Sequence, residues 1–213
     1  KPLAAQHGAV VEVNAGPGLL MHLKPASGKP RPVGQAIANH LFPPKDNGRI
    51  PIVGISGSVG TTQIARLVAW LLHLEGRRVG LACRDGLFLG IRQVEGGPRA
   101  TFDAGQRLLT NREVDAVVLE ASVASILDDG LPYDRCQVGV VTDLAGAQPP
   151  VAPELARHDI HESEQVFKVL RTQMDVVHTN GVGVLYAGDP RLVAMAELCD
   201  GEVVFYESDH EHP

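Results

Sequence analysis

The residues best placed to do chemistry lie between positions 50 and 74, IPIVGISGSVGTTQIARLVAWLLHL. Gly54, Gly57 and Gly60 alternate there with the hydroxyls of Ser56, Ser58, Thr61 and Thr62, between an apolar run and an amphipathic one. A strand, a glycine turn and a helix in that order aim backbone N–H groups and the positive helix end at one point, where an anion is stabilised. Matched to the phosphate-binding pattern G-x-x-x-x-G-K-[ST], Gly54 and Gly60 are read as its glycines, Gly57 lies between them, and Thr62 supplies the metal-binding hydroxyl. The lysine position holds Thr61. The turn thus has the form of an ATP phosphate cradle without its main charge. Gly57, Ser58, Gly60, Thr61 and Thr62 are the expected cofactor-binding residues. The hydroxyls can equally cap the start of the helix.

Two further groups carry oxygen ligands. Glu12 lies in a β-rich run, 9–13, and Asn14 follows it two residues on, so on a strand both point to one face and could share a Mg²⁺. The plainer reading is an edge strand entering the turn 14–18. Glu120 ends the apolar run AVVLE (116–120) and has the placement of an acidic Mg²⁺ ligand following a phosphate loop; a strand-end acid facing water is the alternative. The histidines and acids of the tail 207–213 read as a solvated chain end. Cys83, Cys136 and Cys199 are far apart and odd in number, so a reducing compartment, the cytoplasm, is expected and no metal cluster. Cys83 reads as a small core residue.

The elements that must hold these groups follow from length and pattern. A chain of 213 residues, 44% hydrophobic and 21% charged, can bury one α/β core. A net charge of −6 without a basic run argues against nucleic acid and membrane surfaces as partners. No apolar run nears the ~20 residues of a membrane span. Val33, Ile37 and Leu41 have helical spacing, and 43–48 is a Pro/Gly-rich linker, so domains are expected over 1–48 and 49–213. Strands are expected near 50–56, 78–82, 116–120, 138–141, 182–186 and 202–206, with part of a hairpin or a strand extension over 87–94. Helices are expected over 61–74, 101–111, 122–128, 162–174 and 190–198. Residues 143–160 form a Pro-rich loop. Alternating strands and helices predict a mostly parallel sheet with helices on both faces. In the helix 61–74, Ile64, Leu67, Val68, Leu71, Leu72 and Leu74 predict the buried stripe.

Residues 8–206 resemble cyanophycin synthetases. VVEVNAGPGLLMHLKP (10–25) is similar to the end of that family's ATP-grasp region, where an E-x-N pair holds Mg²⁺. LFPP (41–44) and RIPIVGISGSVG (49–60) resemble its junction into a Mur-ligase-like central domain. RDGLFLG (84–90), VVLEASVASIL (117–127), GLPYDRCQVGVV (130–141) and AGDPRLVAMAE (187–197) follow in the family's order. The resemblance implies an ATP- and Mg²⁺-using amide ligase for the parent chain, with a polymer of aspartate backbone and arginine side chains as product. It further implies the rest of a ligase chain as partner, and a homo-oligomer.

The departures cluster at ligand positions. Thr61 replaces the lysine, which would neutralise the terminal phosphates. Val59 stands where the family has Asn. An Asp-His-Leu-Gly run expected after strand 138–141 is replaced by TDLAGAQPPVAPELARHDIH, in which only His158 or His161 could substitute. Leu170 occupies the place of a metal-binding carbamylated lysine. Tyr186 and Gly188 replace an Asn and an Asp of a nucleotide-contacting stretch. Glu120, Asp85, Asp189 and Pro190 persist. Losing the charge of one such contact costs roughly a hundredfold to a thousandfold in rate. No intact catalytic set is therefore expected, and the resemblance implies a degenerate Mur-ligase-like domain with a structural or binding role. A live ligase, with Arg66, Arg77 or Arg84 replacing the lost charge, is the alternative. A nucleotide-sensing module that binds without hydrolysis is a third.

Overall fold

The computed structural model describes residues 3–10, 12–42, 46, 48–144 and 153–207. Most of the linker expected over 43–48, part of the Pro-rich loop and nearly all of the tail lie outside them. The chain divides into two compact units, Lys1–Arg49 and Ile50–Pro213.

The first unit contains a 3₁₀ turn at Leu3–Gln6 and two helices, α1 (Leu20–Leu23) and α2 (Val33–Leu41). None of its residues whose burial is described is buried. Val13 is 87% exposed, and the apolar stripe of α2 leaves Ile37 and Leu41 in solvent. The strand expected over 9–13 does not form: residues 9, 10, 12 and 13 carry no strand pairing. Two-residue periodicity lacks a partner strand there, and an unpaired strand has no ladder to hold it.

The second unit is an eight-stranded sheet. Its strands are β1 (Ile52–Ser56), β2 (Val79–Cys83), β3 (Gly86–Leu89), β4 (Arg92–Gly96), β5 (Ala116–Ala121), β6 (Cys136–Val141), β7 (Val177–Tyr186) and β8 (Glu202–Tyr206). The spatial order is β4-β3-β2-β5-β1-β6-β7-β8. All neighbours run parallel except the β2–β3–β4 hairpins. The helices are α3 (Thr61–Leu74), α4 (Phe102–Leu109), α5 (Val123–Asp129), α6 (Ser163–Leu170), α7 (Thr172–Asp175) and α8 (Pro190–Met195). The expected helix over 162–174 is broken at Arg171 into α6 and α7.

Handedness explains where the helices lie. Among the parallel crossovers only the step from β1 to β2 moves toward the β4 edge, and right-handed connections then place α3 alone on one face. Every later parallel crossover moves the other way and puts its helix on the opposite face. The two cores agree with this. Ile55, Val79, Leu81, Val118 and Val140 pack with Ala65 and Ala69 of α3. Val117, Leu119, Val141 and Leu185 pack with Leu108, Val166, Leu170, Met174 and Leu192 on the other side. Alternation along each strand feeds both faces, so these strands are apolar throughout.

The expected stripe of α3 is only partly buried. The helix buries Thr61, Ala65 and Ala69, with Ile64, Val68 and Leu72 at the margin. Leu67 (57%), Leu71 (51%) and Leu74 (63%) are exposed. The small residues let the helix lie close to the sheet, and this turns the leucines outward.

Side-chain caps fix the helix starts. Thr101 accepts from the Ala104 amide at the start of α4, Ser122 and Ser125 form a capping box on α5, and Asp189 caps α8 ahead of Pro190. Among the described residues no helix is long and apolar enough to cross a membrane.

Candidate functional site

β1 is central, and the chain crosses from one of its sides to the other, so the carboxyl ends of β5, β1 and β6 meet at a topological switch point. The turn 57–60 lies there. Gly57 has φ +134° and Gly60, at the N-cap of α3, has φ +72°. A Cβ on Gly57 would come within 2.1 Å of Thr142 Oγ1 and 2.9 Å of Asp143 Oδ2, so glycine is required by both backbone and neighbours.

Gly54 is not a turn residue. It lies inside β1 with five residues between it and Gly60, one more than the phosphate pattern has, and the glycines of the turn are Gly57 and Gly60. Gly54 is needed for a different reason: a Cβ there would lie 2.0 Å from Tyr133 Oη and 2.6 Å from Gln173 Nε2. Tyr133 donates to Gln173 Oε1 (2.7 Å), and Ser56 Oγ donates to the same oxygen (3.2 Å). Gln173 Nε2 contacts Cys136 Sγ at 3.6 Å. This buried polar cluster braces β1 from below. Burial pushes the Tyr133 hydroxyl far above its ordinary range and the Cys136 thiol up to about 12.

Two carboxylates converge on the turn from neighbouring strands. Glu120, at the end of β5, is buried. Its Oε1 accepts from Thr61 Oγ1 (2.7 Å) and Thr62 Oγ1 (2.9 Å), and its Oε2 from Thr62 Oγ1 (3.0 Å) and the Arg84 amide (2.8 Å). Thr61 is 2% exposed, so the residue in the lysine position points inward and is consumed by Glu120. The other carboxylate is Asp143, just past β6. Its Oδ2 accepts from the amides of Ser58 and Val59, both at 2.9 Å, and from Thr142 Oγ1 at 2.6 Å. Its Oδ1 accepts from Ser58 Oγ at 3.0 Å. Amides that a phosphate loop would offer to an anion are thus bonded to an acid of the same chain.

Asp143 is held from behind. The Thr142 amide bonds to Ser56 O (3.0 Å), and Tyr206 Oη donates to Thr142 O (3.3 Å). Tyr206 packs on Tyr186 with ring centroids 5.5 Å apart. Burial raises the Tyr206 hydroxyl, and the Asp143 charge raises it further. A Cβ on Gly188 would fall 2.3 Å from the Tyr186 ring. The two replacements at 186 and 188 are therefore a matched pair: the ring occupies what a side chain at 188 would need.

Several expected contributors are elsewhere. Leu170 is fully buried among apolar neighbours and offers nothing to a metal. His158 pairs with Asp128 (3.0 Å) and His161 with Asp159 (3.0 Å), neither with Glu120. Asp189 is the α8 cap, its carboxyl held below the ordinary range by Arg191. Arg66 bonds Asp85 at 2.7 Å and lies 5.5 Å from the Phe88 ring centroid. Arg77 follows α3 at the opposite end of the sheet. Arg84 alone of the three follows a strand at the turn's edge, with its side chain exposed. Glu12 and Asn14 are both exposed in the first unit, outside any strand. Cys83 is buried and its thiol raised by burial. Among the described residues no three His, Cys, Asp or Glu side chains gather as a metal site. Three donors, the Thr61 and Thr62 hydroxyls and the Arg84 amide, meet the two oxygens of Glu120.

Sequence reasoning passed over Asp143, Thr142, Tyr133 and Gln173. The one signal for Asp143 was its place immediately after a strand neighbouring β1. Gln173 and Tyr133 are 40 residues apart and meet only through the fold.

No family model matches the chain. It is 38% identical over 213 residues to a cyanophycin synthetase of Crocosphaera subtropica and 35% identical over 213 residues to one of Synechocystis sp.. It spans 24% of the length of each. Among solved structures it is similar to UDP-N-acetylmuramoyl-L-alanyl-D-glutamate–2,6-diaminopimelate ligase, with a TM-score of 0.58 and 18% identity over 76% of this chain and 33% of that one. It is also similar to E. coli FolC in complex with DHPP and ADP, with a TM-score of 0.54 and 13% identity over 78% of this chain and 45% of that one. Those two likenesses establish the fold.

Proposed function

We propose that the chain is a segment of a cyanophycin-synthetase-type ligase in which residues 49–213 are a Mur-ligase-like domain with a degenerate nucleotide site. Its role is then structural or binding: supporting the rest of the ligase chain, a homo-oligomer, or the aspartate–arginine polymer. The observation that carries this reading is the inward Thr61 hydroxyl on Glu120, in the place where a cation would meet terminal phosphates. Similarity over the whole of this chain, which spans 24% of a cyanophycin synthetase, supports the parent chemistry. In the same reading residues 1–48 are the end of an ATP-grasp domain, and Glu12 and Asn14 hold its Mg²⁺ once the remaining ligands are supplied.

Calorimetric titration of MgATP into the chain and into Thr61→Lys tests the degenerate site. The expected result is no measurable heat from the wild type and binding by the lysine variant. Tight binding by the wild type overturns the proposal and favours a nucleotide-sensing domain or a live ligase. Arg84 favours the live ligase, because its cation is exposed at the turn's edge while its amide bonds Glu120. Under that reading Arg84→Ala abolishes the wild-type heat.

A further inference from the structure

We infer that Asp143 is a built-in anion that occupies the cradle of the glycine turn and competes with phosphate for it. This rests on reading the turn as a former nucleotide site, and it adds a reason for weak binding independent of Thr61. Removing one cation weakens an anion site; filling it with a carboxylate closes it.

The geometry is that of a seated ligand. Four donors from three residues converge on one carboxylate: two successive amides, Ser58 and Val59, and two hydroxyls, Ser58 and Thr142. Successive amides aimed at one oxygen are how backbone nests hold anions. Hydrogen bonds to an ionised acceptor are about twice as strong as neutral ones. The seat is also shaped for its occupant, since Gly57 has no side chain where Thr142 and Asp143 approach. The occupant in turn is anchored to β1 through the Thr142 amide and to β8 through Tyr206.

The seat is nevertheless reversible. Asp143 is half-buried, unlike Glu120, and its hydrogen bonds to Ser58 and Val59 lie at the exposed surface. An incoming phosphate displaces a carboxylate from the same amides without disturbing the core. Occupancy is thus a competition between an intramolecular carboxylate, at high effective concentration, and free anion. Two negative groups facing the same turn, Asp143 and Glu120, further disfavour an unneutralised phosphate.

The experiment compares wild type, Asp143→Ala and Asp143→Asn in the full 213-residue chain. ADP and inorganic pyrophosphate are titrated by calorimetry, and amide exchange at Ser58 and Val59 is followed by NMR. Asp143→Ala is expected to bind ADP at least about tenfold more tightly than wild type. Asp143→Asn, which keeps an acceptor but loses the charge, falls between them. Without added anion, the Ser58 and Val59 amides exchange at least about tenfold faster in Asp143→Ala, and pyrophosphate restores their protection. Equal ADP affinity in wild type and Asp143→Ala overturns the inference, as do equal exchange rates at both amides. The double variant Thr61→Lys, Asp143→Ala separates this inference from the reading of Thr61. Binding at least about tenfold tighter by the double variant than by Thr61→Lys alone supports the self-occupied seat. Binding by Thr61→Lys as tight as by the double variant overturns it while leaving the degenerate-site reading intact.

Discussion

Glu120 and Asp143 end strands on either side of β1 and face the same turn, yet they are built differently. Glu120 is buried and holds the first helical residues, so it belongs to the framework. Asp143 is half-buried and holds turn amides, so it belongs to the surface. If the turn is a former nucleotide site, as proposed above, the difference teaches that its missing lysine is a two-part change. On one side the vacated position has been absorbed into the core by a short threonine. On the other the anion seat has been filled by an acid. A fold can shed a ligand only when the polar groups that met it acquire new partners, because unpaired buried polar groups cost about 1–3 kcal/mol each.

The comparison breaks most readily at Glu120. Glu120→Ala leaves the Thr61 hydroxyl and the Arg84 amide without their acceptor and is expected to destabilise the chain by about 3 kcal/mol. Asp143→Ala, whose Ser58 and Val59 donors are exposed and can turn to water, is expected to cost about 1 kcal/mol. Urea midpoints of the two variants check this, and a larger loss at Asp143 would invert the assignment of framework and surface.

A second contrast lies between two glycines. Gly54→Ala drives a methyl into Tyr133 and Gln173 and is expected to cost about 2 kcal/mol. Gly60→Ala meets only Ile64 Cδ1 at 3.9 Å and pays for its φ alone, about 1 kcal/mol. Thermal denaturation of both variants ranks them; a costlier Gly60→Ala would mean that turn conformation outweighs the brace beneath β1.

An effect absent at neutral pH appears at alkaline pH. Tyr133 and Cys136 titrate higher when folded, so the neutral forms favour the fold. Their stabilising contribution is complete below the unfolded values, near 10 and 9, and declines as pH rises above them, toward about 12 for Cys136. Each group steepens the loss by about 1.4 kcal/mol per pH unit. Tyr133→Phe is expected to give a shallower decline than wild type above pH 10, with parallel behaviour below pH 9. Identical slopes in urea melts across that range would remove Tyr133 from the brace.

Much of the framework was legible in sequence. The alternation of short apolar runs with amphipathic stretches gave the parallel sheet, and Ser122 and Gly130 bounded α5 because capping chemistry is local. The strand at 9–13 failed because pairing partners are not local. The stripe of α3 was misjudged because hydrophobicity alone does not say that Ala65 and Ala69 pack closest. Within the site, Glu120 and the hydroxyls were visible through a spacing rule. Asp143 was not, since an acid after a strand carries no marker until the sheet order brings it beside the turn. The pairing of Tyr186 with Gly188 likewise needs the ring position, although both replacements were visible as departures.

The central position of β1 also has a consequence for the chain during its synthesis. Its two neighbours come from far downstream, Ile52 against Val117 and Val53 against Val138. Until the residues of β5 and β6 have left the ribosome, β1 has a helix behind it and open edges on both sides. Non-local pairings of this kind form slowly and leave sticky edges waiting. The turn and its two acids therefore assemble late, after β5 and β6 arrive to flank a strand that was made long before them.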